Sequence, residues 1–176
     1  TGGEIELSVT PRDEASDTDS APKLTGHTVS EVAVTPDVER ESDMDSWGVF
    51  LASRRVATEY FDTNDDDADD VQTFVSETAF ADGERLVYVQ AFAPQTCYEL
   101  RLREDPSIGT DDLPVVDTKI TRTAPTDQAC GDAITPVDLL VRLSFDPDGP
   151  AADAIAVRVT GSDGTEQEGF QLEVEQ

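Results

Sequence analysis

The chain has 176 residues, of which 39 are Asp or Glu and 12 are Lys or Arg, so its formal net charge at pH 7 is −27. This balance argues against a surface for nucleic acid or for an anionic membrane, because phosphate contacts need clustered Lys and Arg, and Arg54-Arg55 is the only adjacent basic pair. No stretch approaches the roughly 18 apolar residues of a membrane-spanning helix, and the length suits one domain, or one domain with a tail.

The acidic residues are spread along the chain from Glu4 to Glu175, with 24 Asp and 15 Glu. An acidic interaction tail would form one block, so the pattern predicts an acidic surface over the whole protein. Such a surface repels itself at low ionic strength, whereas in molar salt the Debye length falls to about 3 Å and screens the repulsion. The composition therefore predicts a halophilic protein, and an ordinary acidic secreted protein is the alternative.

The two cysteines, Cys97 and Cys130, lie 33 positions apart and outside any Cys-x-x-Cys motif. A zinc site would need two more soft or imidazole ligands, and the chain has a single histidine, His27. The pair therefore predicts one structural disulfide in an oxidising, extracellular setting, with two buried free thiols as the alternative.

Residues 1–26 are predicted to form an N-terminal strand followed by a flexible acidic tether. The stretch 10–26 is poor in large apolar side chains and buries too little surface to offset its ordering entropy. The preceding EIELSVT alternates Ile5, Leu7 and Val9 on one face, as in a strand that docks on the domain. Residues 27–176 are predicted to form the folded domain.

Alternation of apolar and polar residues dominates from residue 27 onwards, which indicates half-buried strands separated by Gly, Pro and Asp turn signals. This pattern predicts a mainly β protein, an antiparallel β-sandwich that is Ig-like or jelly-roll-like, with one or two short helices. The predicted strands are 27–34, 47–52, 85–93, 97–103, 115–123, 137–145, 154–160 and 170–175.

Two short helices are predicted to interrupt the strands. Residues 67–77 place Val71 and Val75 at helical spacing behind aspartates that suit a helix N-terminus. Residues 53–61 predict a second helical turn, with Ser53 as its N-cap.

Thr1-Gly2-Gly3, followed by a polar acidic stretch, resembles the segment just after the lipid-modified cysteine in secreted lipoproteins of halophilic archaea. The region from Trp47 to Arg142 is similar to the globular part of surface proteins of these organisms. The similar segments are Ala52-Ser53 at a strand end, FVSETAF (74–80), LVYVQAF (86–92), TCYEL (96–100), the second cysteine and LLVRLSF (139–145). The resemblance covers rather more than half of the chain. It implies a sheet-rich secreted domain with a lipid anchor before Thr1, and it brings no catalytic or binding residues.

No recognised catalytic motif is present in the sequence. His27 follows Gly26 at the end of the tether and is predicted to be a solvated or capping histidine and not a catalytic base. No GxSxG, Walker-type or GxGxxG pattern occurs. A carboxylate-based glycoside hydrolase is the enzymatic alternative, although the 39 acids make close carboxylate pairs expected in any fold.

The acidic run 62–70 is the sharpest local feature. Asp62, Asn64 and Asp66 supply alternate oxygen ligands, which resembles the opening of a calcium loop. The sixth position is Asp67 where such a loop has Gly, and the twelfth is Thr73 where it has a bidentate Glu. A solvated acidic loop that leads into the 67–77 helix explains the same residues without an ion. We therefore expect no cofactor, with Ca²⁺ bound at Asp62, Asn64 and Asp66 as the alternative.

We expect a cell-surface or secreted haloarchaeal ectodomain without enzymatic activity, acting as a binding or structural module. Its expected partner is an unidentified protein or glycan at the cell surface, with no nucleic acid, and with membrane contact only through a lipid anchor before Thr1. A calcium-stabilised adhesion domain and the glycoside hydrolase are the alternatives. The expected contact surface is an exposed apolar or aromatic patch near Trp47 or at strand-connecting loops.

Overall fold

The computed structural model of the protein describes residues 21–37 and 45–175. This part of the chain is mainly β, as predicted, with two α-helices and one 3₁₀-helix. The strands are β1 Leu24–Val29, β2 Trp47–Leu51, β3 Glu84–Ala93, β4 Tyr98–Leu102, β5 Ser107–Ile108, β6 Pro114–Arg122, β7 Thr135–Phe145, β8 Ala154–Thr160 and β9 Glu166–Glu175. The helices are α1 Arg54–Tyr60 and α2 Ala68–Ser76, followed by the 3₁₀-helix Phe80–Asp82.

All nine of these strands belong to one mixed sheet, in the order β1-β7-β3-β2-β9-β8-β6-β4 with β5 beside β6. The predicted antiparallel arrangement is wrong in two places, because β2 pairs with β9 in parallel and β6 pairs with β8 in parallel. Alternation shows which face of a strand is apolar, but it shows neither the direction of the strand nor its neighbour. The chain leaves β6 to place β7 beside β3, and it then returns to place β8 beside β6.

The sheet curls so that its two halves share one core. Strand β9 joins them, since its end pairs with β2 at Val174 and Glu175 while most of its length pairs with β8. Val141 of one half and Val157 of the other are buried in the same cluster. Each fully buried side chain of this size contributes about 1.5–3 kcal/mol relative to an exposed one. The prediction of a sandwich of two packed sheets is not confirmed.

A second core lies on the opposite face of β2, β3 and β7, under the two α-helices. Leu86, Tyr88 and Leu140 of the sheet pack there with Val56 of α1 and Val71 of α2. The helices thus cover one half of the sheet, and the outer face of β4, β6 and β8 carries no helix among the described residues.

Both predicted helices are present. The Ser53 hydroxyl accepts a hydrogen bond from the Val56 amide at 3.1 Å, so Ser53 is the N-cap of α1 as predicted. Helix α2 begins after Asp67, whose side chain makes no capping hydrogen bond. Asp69 and Asp70 lie in its first turn, where negative charge is favourable.

The domain begins earlier than the sequence indicated, because β1 starts at Leu24 and includes Gly26, within the segment assigned to the tether. Four of its six residues are exposed, since β1 is an edge strand that pairs only with β7. The start of β1 is mostly polar, which is why the sequence pattern predicted that it belongs to the tether. The predicted strand 4–10 and most of the tether lie outside the described residues.

Candidate functional site

The outer face of β4, β6 and β8 gathers four cationic side chains. Neighbouring residues such as Leu100, Ile120 and Val157 are buried in the core, so the residues that alternate with them face outwards. We call the outward set the cationic strip, and it consists of Arg101, Arg103, Lys119 and Arg158.

The strand pairing places these four side chains close together. Arg101 lies opposite Lys119 in the antiparallel pair of β4 and β6. Asp117 of β6 neighbours Arg158 in the parallel pair of β6 and β8. On its other side, the Asp117 carbonyl accepts a hydrogen bond from the Arg103 amide at 2.7 Å. Adjacent strands are about 4.8 Å apart, so the strip is about two strand spacings wide.

Asp117 is the buried carboxylate of this face, with an exposed fraction of 5%. Its Oδ2 accepts a hydrogen bond from Arg103 Nη1 at 3.0 Å. Its Oδ1 is buried and has no hydrogen-bond partner among the described residues. Buried polar atoms usually have a partner, so this oxygen is an acceptor site that a donor group can still occupy. Asp117 thus positions Arg103 and offsets part of the positive charge of the strip.

The strip is a local exception on the surface of this protein. It holds four of the 12 cationic residues of a chain with 39 acids. The carboxylates in direct register with it are Asp117 and Glu99, which forms an ion pair with Arg101. Arg101, Arg103 and Arg158 are exposed and Lys119 is half-buried. Their guanidinium and ammonium groups are therefore accessible to an anionic ligand.

A groove of about 540 Å³ lies beside the strip, between β4 and the first half of β7. Its apolar walls include Val29, Val32, Leu100, Leu102, Val137 and Leu139. Three carboxylates, Glu31, Glu99 and Asp138, also line the groove. It exists because β1 pairs with β7 from Val141 onwards, so the first half of β7 has no strand on that side in the described residues.

Asp138 ends a chain of side-chain hydrogen bonds on the helix-covered face. The Tyr88 hydroxyl donates to Asp138 Oδ2 at 3.0 Å and accepts from Gln90 Nε2 at 2.9 Å. Trp47 Nε1 donates to Gln90 Oε1 at 2.9 Å. Burial raises the pKa of Asp138, the bond from Tyr88 opposes that rise, and the nearby charge of Asp65 adds to it. Burial, followed by the charge of Asp138, raises the pKa of Tyr88.

Trp47 is not part of an exposed aromatic patch. Its half-buried ring packs against Tyr88, with ring centroids 5.4 Å apart. The large hydrophobic side chains that are exposed in the described residues are Val29 and Ile134, at 39% and 57%. The patch that departs from the acidic surface is therefore cationic, whereas the sequence predicted an apolar or aromatic patch. The alternation of Arg101 and Arg103 along β4 is visible in the sequence. Lys119 and Arg158 come close to them only through the pairing of β4, β6 and β8.

The predicted calcium ligands Asp62, Asn64 and Asp66 all lie in the exposed loop between α1 and α2. In this loop Asp65 Oδ1 accepts a hydrogen bond from the Asp67 amide at 2.9 Å. Within residues 21–37 and 45–175, no group of three or more His, Cys, Asp or Glu side chains is placed to hold a metal ion. Asn64 is outside those residue types, so calcium binding stays a hypothesis.

Millimolar Ca²⁺ is expected to leave the thermal midpoint nearly unchanged in a background of molar NaCl, because nonspecific screening is already saturated there. Differential scanning calorimetry with and without Ca²⁺ measures this. The double variant Asp62→Ala/Asp66→Ala is the control. A saturable increase in the midpoint that this variant abolishes would establish the site.

The two cysteines form the predicted disulfide, with Cα atoms 5.7 Å apart. It ties the loop before β7 to the start of β4. Beside it, the Thr96 amide donates to the Gly131 carbonyl at 3.0 Å, and the Gly131 amide donates to Thr96 Oγ1 at 2.8 Å. The disulfide therefore fixes the residue just before β4, the strand that carries Arg101 and leads into Arg103.

His27 is exposed in β1, and its Nε2 lies 3.9 Å from a carboxylate oxygen of Asp105, in the loop after β4. This contact joins β1 to the loop that follows β4. It involves no nucleophilic side chain, and it places His27 at the sheet edge.

Comparison with models of protein families, with curated proteins and with solved structures finds no match to this chain. Neither α-helix of the described residues is long and apolar enough to cross a lipid bilayer.

Proposed function

We propose that the protein is an extracellular contact module of a halophilic archaeon, held at or near the cell surface, which binds an acidic protein partner and catalyses no reaction. The cationic strip is the observation that carries this proposal. In a chain with 39 acids and 12 cations, four cations on one sheet face make the site where an acidic partner meets the least repulsion.

The chemistry of the strip favours carboxylates as ligands. Three of its four cations are Arg, whose planar guanidinium forms two parallel hydrogen bonds with a carboxylate. In molar salt the Debye length is about 3 Å, so attraction at a distance is screened and only direct contacts contribute. Exposed guanidinium groups on a rigid sheet suit contact recognition under these conditions.

The disulfide supports an extracellular location. Disulfides persist in oxidising compartments and are rare in the reducing cytosol. Anchoring through a lipid-modified cysteine before Thr1 belongs to the same proposal and rests on the resemblance to haloarchaeal lipoproteins.

The hydrolase alternative has one supporting observation, the raised pKa of Asp138 in the groove. A general acid of a glycosidase has a raised pKa and a second carboxylate across the substrate. The bonds of Asp138 to Tyr88, and of Tyr88 to Gln90, already account for this carboxylate as part of a structural network. The contact module is therefore the better-supported proposal.

The double variant Lys119→Glu/Arg158→Glu is expected to weaken binding of an acidic peptide at least tenfold. Charge-assisted hydrogen bonds contribute about 1.5–3 kcal/mol each, so the loss of two removes at least that factor. The probe is a fluorescein-labelled peptide of alternating Asp and Gly, and fluorescence anisotropy at several salt concentrations gives the dissociation constant. The matched control is Lys23→Glu/Arg55→Glu, which makes the same charge change at exposed residues away from the strip.

The control variant is expected to bind within a factor of about two of the parent chain, because it leaves the direct contacts in place. Equal weakening by both variants would show that net charge alone matters. Absence of saturable peptide binding, or stronger binding of polygalacturonate than of the peptide, would contradict an acidic protein as the partner.

A further inference from the structure

The side chains of the cationic strip lie in two rows that cross the strands. Arg101 of β4 lies opposite Lys119 of β6, and these two residues form the first row. Arg103 and Arg158 form the second row, on either side of Asp117. Residues two apart on a strand point to the same face, so the second row lies about 7 Å from the first along the strands. Each row therefore offers two cations to a ligand.

Each row can hold one carboxylate of a ligand. In the first row, Arg101 and Lys119 are on adjacent strands with their backbones about 5 Å apart, so one carboxylate can contact both side chains. In the second row, the backbones of Arg103 and Arg158 are about 10 Å apart, and both long side chains are exposed and can converge on one carboxylate. A carboxylate accepts hydrogen bonds at two oxygens, so it can contact two cations at once.

Two carboxylates of the protein also belong to this array. Asp117 is buried, and its ion pair with Arg103 at 3.0 Å fixes the position of that guanidinium. Glu99 lies two residues before Arg101 on β4, and it forms an ion pair with that arginine. The Glu99 side chain is 45% exposed, so a ligand carboxylate can replace it as the partner of Arg101.

The distance between the rows matches the repeat of an extended peptide. In such a peptide, side chains at positions i and i+2 are on one face and about 7 Å apart. Acidic residues at i and i+1, or at i and i+3, point to opposite faces, and those at i and i+4 are about 13 Å apart. The i, i+2 spacing therefore brings one carboxylate to each row when the peptide runs along the strands.

We propose that the cationic strip recognises an extended segment of its acidic partner that has Asp or Glu at positions i and i+2, with one carboxylate in each row. This inference rests on the proposed function, because it names the part of the partner that the strip contacts. The Debye length in molar salt, about 3 Å, is shorter than the distance between the rows. A carboxylate that misses its row is therefore screened and contributes little to binding.

Four capped seven-residue peptides, each with two Asp residues in a background of Ser and Thr, test this spacing. Their Asp residues are at i and i+1, i+2, i+3 or i+4, so all four peptides carry the same charge. NMR titration of the nitrogen-15-labelled chain, at the lowest salt that keeps it folded, gives the dissociation constants. The i, i+2 peptide is expected to bind about tenfold more tightly than each of the others, because these lose one of the two charge-assisted contacts.

Arg158→Gln and Arg55→Gln are a matched pair of variants, since each removes one exposed arginine. Arg158→Gln is expected to weaken the i, i+2 peptide about fivefold or more and the other three by less than about twofold, because the first row is still available to them. Arg55 lies on α1, away from the strip, so Arg55→Gln is expected to keep the preference. Glu99→Gln removes the competing carboxylate and is expected to strengthen binding of the i, i+2 peptide.

The four peptides also distinguish failure of the spacing from failure of the proposed function. Equal binding of all four, weakened throughout by Lys119→Glu/Arg158→Glu, would overturn the spacing and leave the strip as the binding surface. A preference for i, i+2 that Arg55→Gln reduces as much as Arg158→Gln does would overturn the assignment of a carboxylate to each row. Absence of saturable binding of all four peptides would overturn both the spacing and the proposed function.

Discussion

The midpoint temperature of thermal unfolding is expected to rise by tens of degrees between low salt and molar NaCl or KCl. The 12 cationic residues can neutralise fewer than a third of the 39 acids, so self-repulsion opposes the compact state. The Debye length falls from about 10 Å at 0.1 M salt to about 3 Å at 1 M, which removes repulsion between all but the nearest carboxylates. Circular dichroism melts over a salt series measure the shift.

A variant with fewer charges separates screening from the general strengthening of apolar burial by salt. Asp127→Asn, Asp148→Asn and Glu173→Gln change exposed residues. Together they are expected to raise the midpoint at low salt and to leave it nearly unchanged at molar salt, because the repulsion they relieve is already screened there. A midpoint of the parent chain that does not move with salt would contradict a halophilic protein.

Removal of the disulfide is expected to lower the free energy of unfolding by about 3–4 kcal/mol, according to the chain-entropy argument for a closed loop of this length. The change is Cys97→Ser/Cys130→Ser, and urea unfolding in molar salt measures the free energy. Because the bond anchors the start of β4, hydrogen exchange should increase first in β4 and in the loop before β7.

The oxidised parent chain, unfolded without reductant, is the reference for this experiment. Thiol titration is expected to find essentially no free thiol, since Cys97 and Cys130 are bonded to each other. Two titratable thiols, or a double variant as stable as the parent, would show that the bond does not brace the fold in solution.

Local patterns predicted most of the strands and both helices. Strand β7 shows why, since Val137, Leu139 and Val141 are buried in one core while Arg142 stays half-buried on the other face. Ser53 likewise predicted the start of α1 from local chemistry alone. These features depend on neighbours within a few residues, so the sequence displays them directly.

The sheet order and the candidate site depend on contacts that are distant in the chain. Nothing near Lys119 indicates that Arg101 and Arg158 lie on the two strands beside it. Trp47 is a second example of a position that local sequence does not reveal. It was predicted to lie near an exposed contact patch, but it donates a hydrogen bond to Gln90 of the neighbouring strand β3 and is half-buried. Alternation fixed the outward face of each strand, and tertiary pairing then decided which outward residues meet.

The position of β9 has a consequence for how the chain reaches its native state. Phe50 and Leu51, in the first third of the chain, find their second neighbour only at Val174 and Glu175. Contacts between such distant segments slow folding, since a large loop must close before they contribute. The two halves of the sheet therefore become hydrogen-bonded to each other only once β9 is available, so the sheet is completed by a long-range contact.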